Sequence, residues 1–287
     1  MMFSYLRKKG ETQHIPPLAQ ARMALEMNFV NHVLPSAGVS GISYMTWRLS
    51  KLHISPARAT AAQLVRFAMS YAAFITLLVI ALFVITVDGN INRWVVLLSL
   101  LIIVGMVGVT FGGIYLVSSN QRSEWFSDWM TNVVNRIIRV VTFGRKKDTI
   151  RSEPIKKFLF ELHTEFLTLR RERSVLIRPY LWGILFTAFD IAVYMITFWA
   201  LGLVVSPAPI LIAYGLASMA AVVVVTPGGA GVYEAIMVSF MATAGIQADA
   251  AIAATLLARV AMLLGTIGLG YVFYQQALVK YGKQSTP

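Results

Sequence analysis

The chain contains no cysteine, which removes disulfides, thiolate nucleophiles and thiolate metal sites and leaves the redox compartment open. It is also poor in charge. Charged residues make up 13% of the 287 positions and hydrophobic ones 57%, against about 25% and 45–50% in soluble domains. Too little polar surface is left to cover a globule, so a soluble enzyme is excluded and an integral membrane protein is expected. Acidic residues are scarce, 13 against 25 Lys and Arg, for a formal net charge of +12. In a membrane chain that excess reports orientation before it reports nucleic acid, and no nucleic-acid partner is expected. The four histidines have no metal-ligand spacing, and no Lys-Ser or Lys-Thr pair follows the glycine-rich stretch. Metal, cofactor and Walker-type nucleotide sites are therefore not expected.

What the chain does have is long charge-free runs. A crossing helix needs about 20 apolar residues, and the runs predict four spans at 57–87, 94–117, 179–203 and 250–279. They are continuous rather than alternating, which argues against a β-barrel. Lys and Arg collect before residue 10, in 48–58, through 120–178 and at the end, so the positive-inside rule puts these segments and both termini in the cytoplasm. Met1–Gly10 has basic residues with no apolar core behind them, so no cleaved signal peptide is expected.

Two shorter apolar stretches, 18–47 and 208–245, each begin and end on one side by this reckoning. Each is broken near its middle, by Pro35-Ser36-Ala37-Gly38 and by Pro227-Gly228-Gly229-Ala230-Gly231. Broken backbone at membrane depth is tolerated only inside protein or along a cavity, so both read as re-entrant hairpins. The expected fold is thus all-α, polytopic, with about four full spans and two hairpins. An offset of 193 residues carries Gly38-Val39 onto Gly231-Val232 and Arg66 onto Arg259. With the spans after each break running oppositely, the halves read as inverted repeats with a site at the midplane between them. Coincidental likeness of two hairpins is the alternative. The connection 120–178 carries apolar stripes at helical spacing, Trp125 and Trp129 among them, which describes amphipathic helices capping the bundle at the headgroups or receiving a soluble partner.

Four ionisable residues lie at depth: Asp190, Glu234, Arg66 and Arg259. Each costs roughly 2.5–3.5 kcal/mol there unless paired or wetted. One reading is a shared polar cavity in which Arg66 and Arg259 meet a lipid phosphate while Glu234 or Asp190 carries a proton or cation. The other is a set of structural ion pairs. Pro227, Gly228, Gly229 and Gly231, and Gly38 in the first half, are read as freeing a half-helix whose N–H groups face an anion. Arg22 and Glu26, four apart, read as a structural pair, and His32 as a residue that could line the cavity.

The run Pro227-Gly228-Gly229-Ala230-Gly231-Val232-Tyr233-Glu234-Ala235, with Arg259 in the next helix, resembles the flippase-like transmembrane domain of lysylphosphatidylglycerol synthases. Asn28-Phe29-Val30-Asn31-His32-Val33-Leu34-Pro35 with Gly38 resembles the first motif of that family, and the likeness covers roughly 20–280. The resemblance implies movement of aminoacylated phospholipid or other lipid-linked molecules across the cytoplasmic membrane, with Asn31 among the site residues. Two features depart from the family pattern. Val39 stands where the family often has Glu, and the about two further spans that usually open the domain have no counterpart. No segment reads as the soluble aminoacyl-transferase domain, so tRNA-dependent transfer is not expected. The sequence therefore points to a translocator of an anionic lipid, without catalytic residues. A membrane-embedded enzyme or an accessory subunit of a separate synthase, acting on a lipid carrier, is the alternative.

Overall fold

The computed structural model describes residues 2–8, 15–34, 39–87, 93–141, 152–171, 174–223 and 229–282. Every regular element among them is an α-helix. In chain order these are α1 (Met2–Lys8), α2 (Pro17–Val33), α3 (Val39–Ser50), α4 (Pro56–Val87), α5 (Arg93–Val117), α6 (Asn120–Val141), α7 (Ser152–Arg171), α8 (Ser174–Ala200), α9 (Pro207–Val223), α10 (Val232–Thr243) and α11 (Ala248–Tyr281). Proline opens α2, α4 and α9, where its missing N–H costs nothing and its fixed φ suits the first turn. Helices α4, α5, α8 and α11 are long and apolar enough to cross a membrane. Their outward faces carry large exposed apolar side chains, such as Phe83, Leu101, Val104, Phe111, Phe189 and Leu264. Contiguous apolar surface on that scale needs lipid to cover it. The protein is a polytopic α-helical membrane protein.

Helix α8 opens at Ser174, ahead of the expected start at Pro179, and Pro179 is buried inside it. The ring sits early enough in the helix that only one carbonyl near its start loses a partner.

The repeat is visible in the helices themselves. Helices α2, α3 and α4 have 17, 12 and 32 residues, and α9, α10 and α11 have 17, 12 and 34. Each short pair folds back on itself, α2 on α3 and α9 on α10. Both second members end in the same way: His53 N–H reaches Ser50 and Ile54 N–H reaches Leu49, while Gly245 N–H reaches Ala242 and Ile246 N–H reaches Met241. That is the Schellman pattern, with His53 (φ 60°) and Gly245 (φ 87°) in the left-handed position.

Two apolar clusters hold the pairs in place. One joins α2 and α3 to Ile54 in the turn that follows, to Ala59 and Ala62 at the start of α4 and to Ile267 and Tyr274 late in α11. The other joins α9 and α10 to Phe74, Leu78 and Ala81 further along α4 and to Ala251, Ala254 and Ala258 at the start of α11. Helix α4 therefore runs from the first cluster to the second and α11 runs back, the opposed sense an inverted repeat requires. Met2 and Leu6 of α1 are buried in the first cluster. Helices α6 and α7 pack on each other and on α5, and α7 reaches α4. Salt bridges Lys156–Asp128 (3.1 Å) and Arg58–Glu165 (2.9 Å) tie them down.

Candidate functional site

The second pair carries the most specific geometry. Pro227 and Gly228 lie outside the described residues. Gly229 has φ 72° and Gly231 has φ 89° with ψ −57°, so both occupy backbone that an L side chain resists. These conformations turn the chain from α9 into α10 and put Glu234 in the first turn of α10. One carboxylate oxygen of Glu234, Oε2, accepts from the Gly231 N–H at 2.6 Å, and Oε1 accepts from Arg259 Nε at 2.6 Å. The half-helix that the sequence reading left open to an outside anion is thus met by the carboxylate of its own third residue. A negative charge at that end is favoured by the helix dipole as well as by the hydrogen bond. The Arg259 guanidinium also lies over the Tyr233 ring, 4.5 Å from its centre. The pair is largely shielded, with Arg259 14% and Glu234 20% exposed.

Asp190 is held by a tyrosine and not by either arginine. The Tyr214 hydroxyl donates to Asp190 Oδ2 at 2.7 Å. The Tyr214 ring meets Tyr233 edge-on, and the Tyr233 and Tyr194 hydroxyls share a hydrogen bond of 3.0 Å. A layer of three tyrosines therefore lies between Asp190 and the Glu234–Arg259 pair. Sequence reasoning missed this layer as a unit. The signal available was three phenolic hydroxyls within the one charge-free run 191–233, since such groups seek a partner when buried.

In the first pair Gly38 lies outside the described residues. Asn31 reaches across the break, and its Oδ1 accepts from the Gly41 N–H at 2.9 Å, capping the first turn of α3. The Asn31 amide fills the space a Gly41 Cβ would need. His32 is tied to its own helix, with Nδ1 2.8 Å from the Asn28 carbonyl. Arg66 of α4 lies against α2. Its Nη1 lies 3.4 Å from Met27 Sδ, and its guanidinium lies 4.6 Å from the centre of the Phe67 ring. The two arginines thus have different neighbours, Met27 and Phe67 for Arg66 and Glu234 and Tyr233 for Arg259. The repeat offset explains the asymmetry: it carries Arg259 to Arg66 but Glu234 to Gly41, so Arg66 has no carboxylate partner among the described residues.

A family model described as Lysylphosphatidylglycerol synthase TM region matches residues 5–270. The chain belongs to that family. It is similar to a UPF0104 membrane protein of Methanothermobacter thermautotrophicus, 24% identical over 250 residues that cover 86% of this chain and 70% of the relative. A second UPF0104 membrane protein of that organism is 27% identical over 134 residues, 47% of this chain and 37% of the relative. No solved structure gives a significant match.

Within this member of the lysylphosphatidylglycerol synthase TM family, other polar features sit apart from the Glu234–Arg259 pair. The Arg22–Glu26 pair expected on α2 is present, with Nε 3.6 Å from Oε1. The structure adds Tyr44 and Arg48 of α3 to it. By sequence Arg48 belongs with the cytoplasmic charges, because its position at the end of an apolar stretch hides that its side chain turns inward. A cleft of about 830 Å³ between α3, the start of α4 and Phe158 of α7 is lined by Thr46, Trp47, His53 and Thr60, and by none of the expected site residues. Among the described residues no group of three or more His, Asp or Glu could hold a metal ion.

Proposed function

We propose that this membrane protein moves an anionic phospholipid, or a molecule linked to such a lipid, across the cytoplasmic membrane. Both termini and residues 48–58 and 120–178 lie in the cytoplasm, and the two short helix pairs dip into the bilayer from opposite faces. The observation that carries this reading is the Glu234–Arg259 pair at the opening of α10. Arg259 is an arginine within a membrane-length helix, and among the described residues Glu234 is the carboxylate that faces its charge. A lipid phosphate has the charge and the oxygen geometry to take the place of Glu234 on the guanidinium. Displaced and still ionised, Glu234 would leave the cluster with a surplus negative charge in low dielectric, which is costly. Proton uptake by Glu234 as the phosphate arrives keeps the cluster neutral, so the anion travels with a proton. With no nucleotide loop in the sequence, movement is downhill or ion-coupled. The opposed repeats supply two related hairpins, one on each side, between which access can alternate. No catalytic residue belongs to this reading. The amphipathic helices α6 and α7, with Trp125 and Trp129 exposed, fit a cover at the headgroup level that also offers a surface to a separate synthase.

The test is transfer of fluorescent phosphatidylglycerol in reconstituted vesicles, read by loss of signal to a membrane-impermeant reductant. Wild-type protein is expected to expose the inner-leaflet probe faster than empty vesicles do, and Arg259→Gln to abolish the gain. Rates equal to those of empty vesicles for each anionic lipid tried would overturn the reading.

A further inference from the structure

The first helix pair holds a buried polar cluster that the transfer scheme leaves unused. The Glu26 side chain is 1% exposed. Its Oε2 accepts from the Tyr44 hydroxyl at 2.9 Å and faces Arg48 Nε at 3.4 Å. Its Oε1 faces Arg22 Nε at 3.6 Å, beyond hydrogen-bond reach. Helix α11, from the other repeat, closes the cluster. Arg22 donates to Gln276, and the Arg48 guanidinium stacks 4.0 Å above the Tyr281 ring. Two guanidinium groups thus share one carboxylate. The neighbouring Lys280, close to the Tyr281 ring, adds further positive charge.

Two atoms in this cluster are buried without a hydrogen bond among the described residues, Arg48 Nη1 and Glu26 Oε1. The Arg48 side chain is only 10% exposed, so bulk water does not serve it freely. A buried N–H donor on a charged group is expensive to leave unmade. The cluster also has an open side, since Arg22 is 39% exposed and Gln276 is exposed. A surplus positive charge, an unused guanidinium donor and an opening describe an incomplete oxyanion site. We propose that Arg48 and Arg22 bind a phosphate headgroup where α2, α3 and the end of α11 meet. Glu26 aligns the two guanidinium groups, and its spare oxygen accepts a hydrogen bond from a headgroup hydroxyl or ammonium. The site is separate from Arg259 and does not rest on the transfer reading, because a lipid held here without moving would occupy it equally well.

Hydrogen–deuterium exchange of the full chain in detergent tests this, with dihexanoyl phosphatidylglycerol, inorganic phosphate and dihexanoylglycerol as probes. The phosphatidylglycerol is expected to slow exchange across 44–50 and 273–281 in a saturable way, and dihexanoylglycerol to leave those amides unchanged. Inorganic phosphate that gives the same protection identifies a free-phosphate site, and failure of phosphate alone to protect assigns the site to a lipid headgroup. Arg48→Gln should weaken binding about tenfold or more. Because it strands Glu26, the neutral double variant Glu26→Gln, Arg48→Gln is measured beside it and should bind as weakly while keeping wild-type helicity. Absence of protection of these segments in the wild type by any phosphate probe would overturn the site, whether or not the variants fold. So would wild-type affinity in a folded double variant. Loss of binding in Arg48→Gln with phosphatidylglycerol transfer intact would leave the Arg259 reading standing on its own.

Discussion

Alanine at Gly229 and alanine at Gly231 add the same methyl group two residues apart, yet the geometry assigns them different costs. At Gly229 an added Cβ stands 2.5 Å from the Ala221 Cβ and 3.4 Å from its Cα, where carbon contacts normally lie near 3.5–4.0 Å. The overpacking is worth about 1–3 kcal/mol, and the left-handed φ adds about 1–2 kcal/mol. At Gly231 nothing lies within 4 Å of the added carbon. Only the backbone resists, at about 1–3 kcal/mol. The discriminating perturbation is Ala221→Gly. It removes the clash at Gly229 and costs about 0.5–1 kcal/mol by itself in a helix. Four proteins decide the matter for each glycine: wild type, Ala221→Gly, the alanine variant and the double variant. Apparent unfolding midpoints are followed by tryptophan fluorescence in one detergent. Gly229→Ala should lower the midpoint by roughly 4–20 °C at about 2–4 °C per kcal/mol. Ala221→Gly should restore a coupling of about 1–3 kcal/mol to Gly229→Ala and none beyond about 0.5 kcal/mol to Gly231→Ala. Equal coupling at both glycines, or a Gly229→Ala protein as stable as the wild type, would refute the close approach of α9 to the turn.

Further outcomes follow from the same geometry. Arg259→Ala should destabilise by about 3–5 kcal/mol because Glu234 is left unpaired in a shielded site, and Arg259→Met with Glu234→Gln should recover most of that loss in the same unfolding assay. Tyr214→Phe removes the donor to Asp190 and should cost about 1–3 kcal/mol, whereas Tyr214→Phe with Asp190→Leu should come within about 1 kcal/mol of the wild type. Since the chain has no cysteine, single cysteines report topology without background. In intact cells a cysteine at Ser50 should resist an impermeant maleimide and one at Gln247 should react, and the reverse pattern would invert the orientation proposed above.

The spans were legible because hydrocarbon enforces a simple rule: a run without charge, long enough to cross, has few other ways to be used. The breaks were legible because Pro and Gly have little other business inside apolar helices. Glu234 and Arg259 stood out for the energy each would cost alone, and they pair. What sequence could not give is which faces meet. Tyr194, Tyr214 and Tyr233 come from three helices, and no periodicity relates their hydroxyls. Arg66 and Arg259 were legible as equivalents, but what each of them touches was not. Equivalence under an inverted repeat puts two residues on opposite sides of the axis, so an offset in number gives a likeness of position and not a contact. Arg48 was hidden by its neighbours, since a basic residue next to a basic loop reads as part of that loop until its side-chain direction is known.

The pairing of α2 with α11 also sets a timetable for synthesis. Phe29 packs on Tyr271 and Tyr274, and Arg22 finds Gln276 254 residues further on. At about 5–20 residues per second, the ribosome needs roughly 13–50 s to deliver that partner after α2 emerges. During that interval the first helix pair exists without the surface that completes it, its two guanidinium groups and Glu26 open to whatever the bilayer or an insertion factor supplies. The second pair waits for nothing comparable, because α4 is already in place when α9 and α10 appear and α11 follows at once. The amino-terminal half is therefore the one whose maturation depends on the last helix, and shortening the end of α11 should injure the part of the chain that was made first.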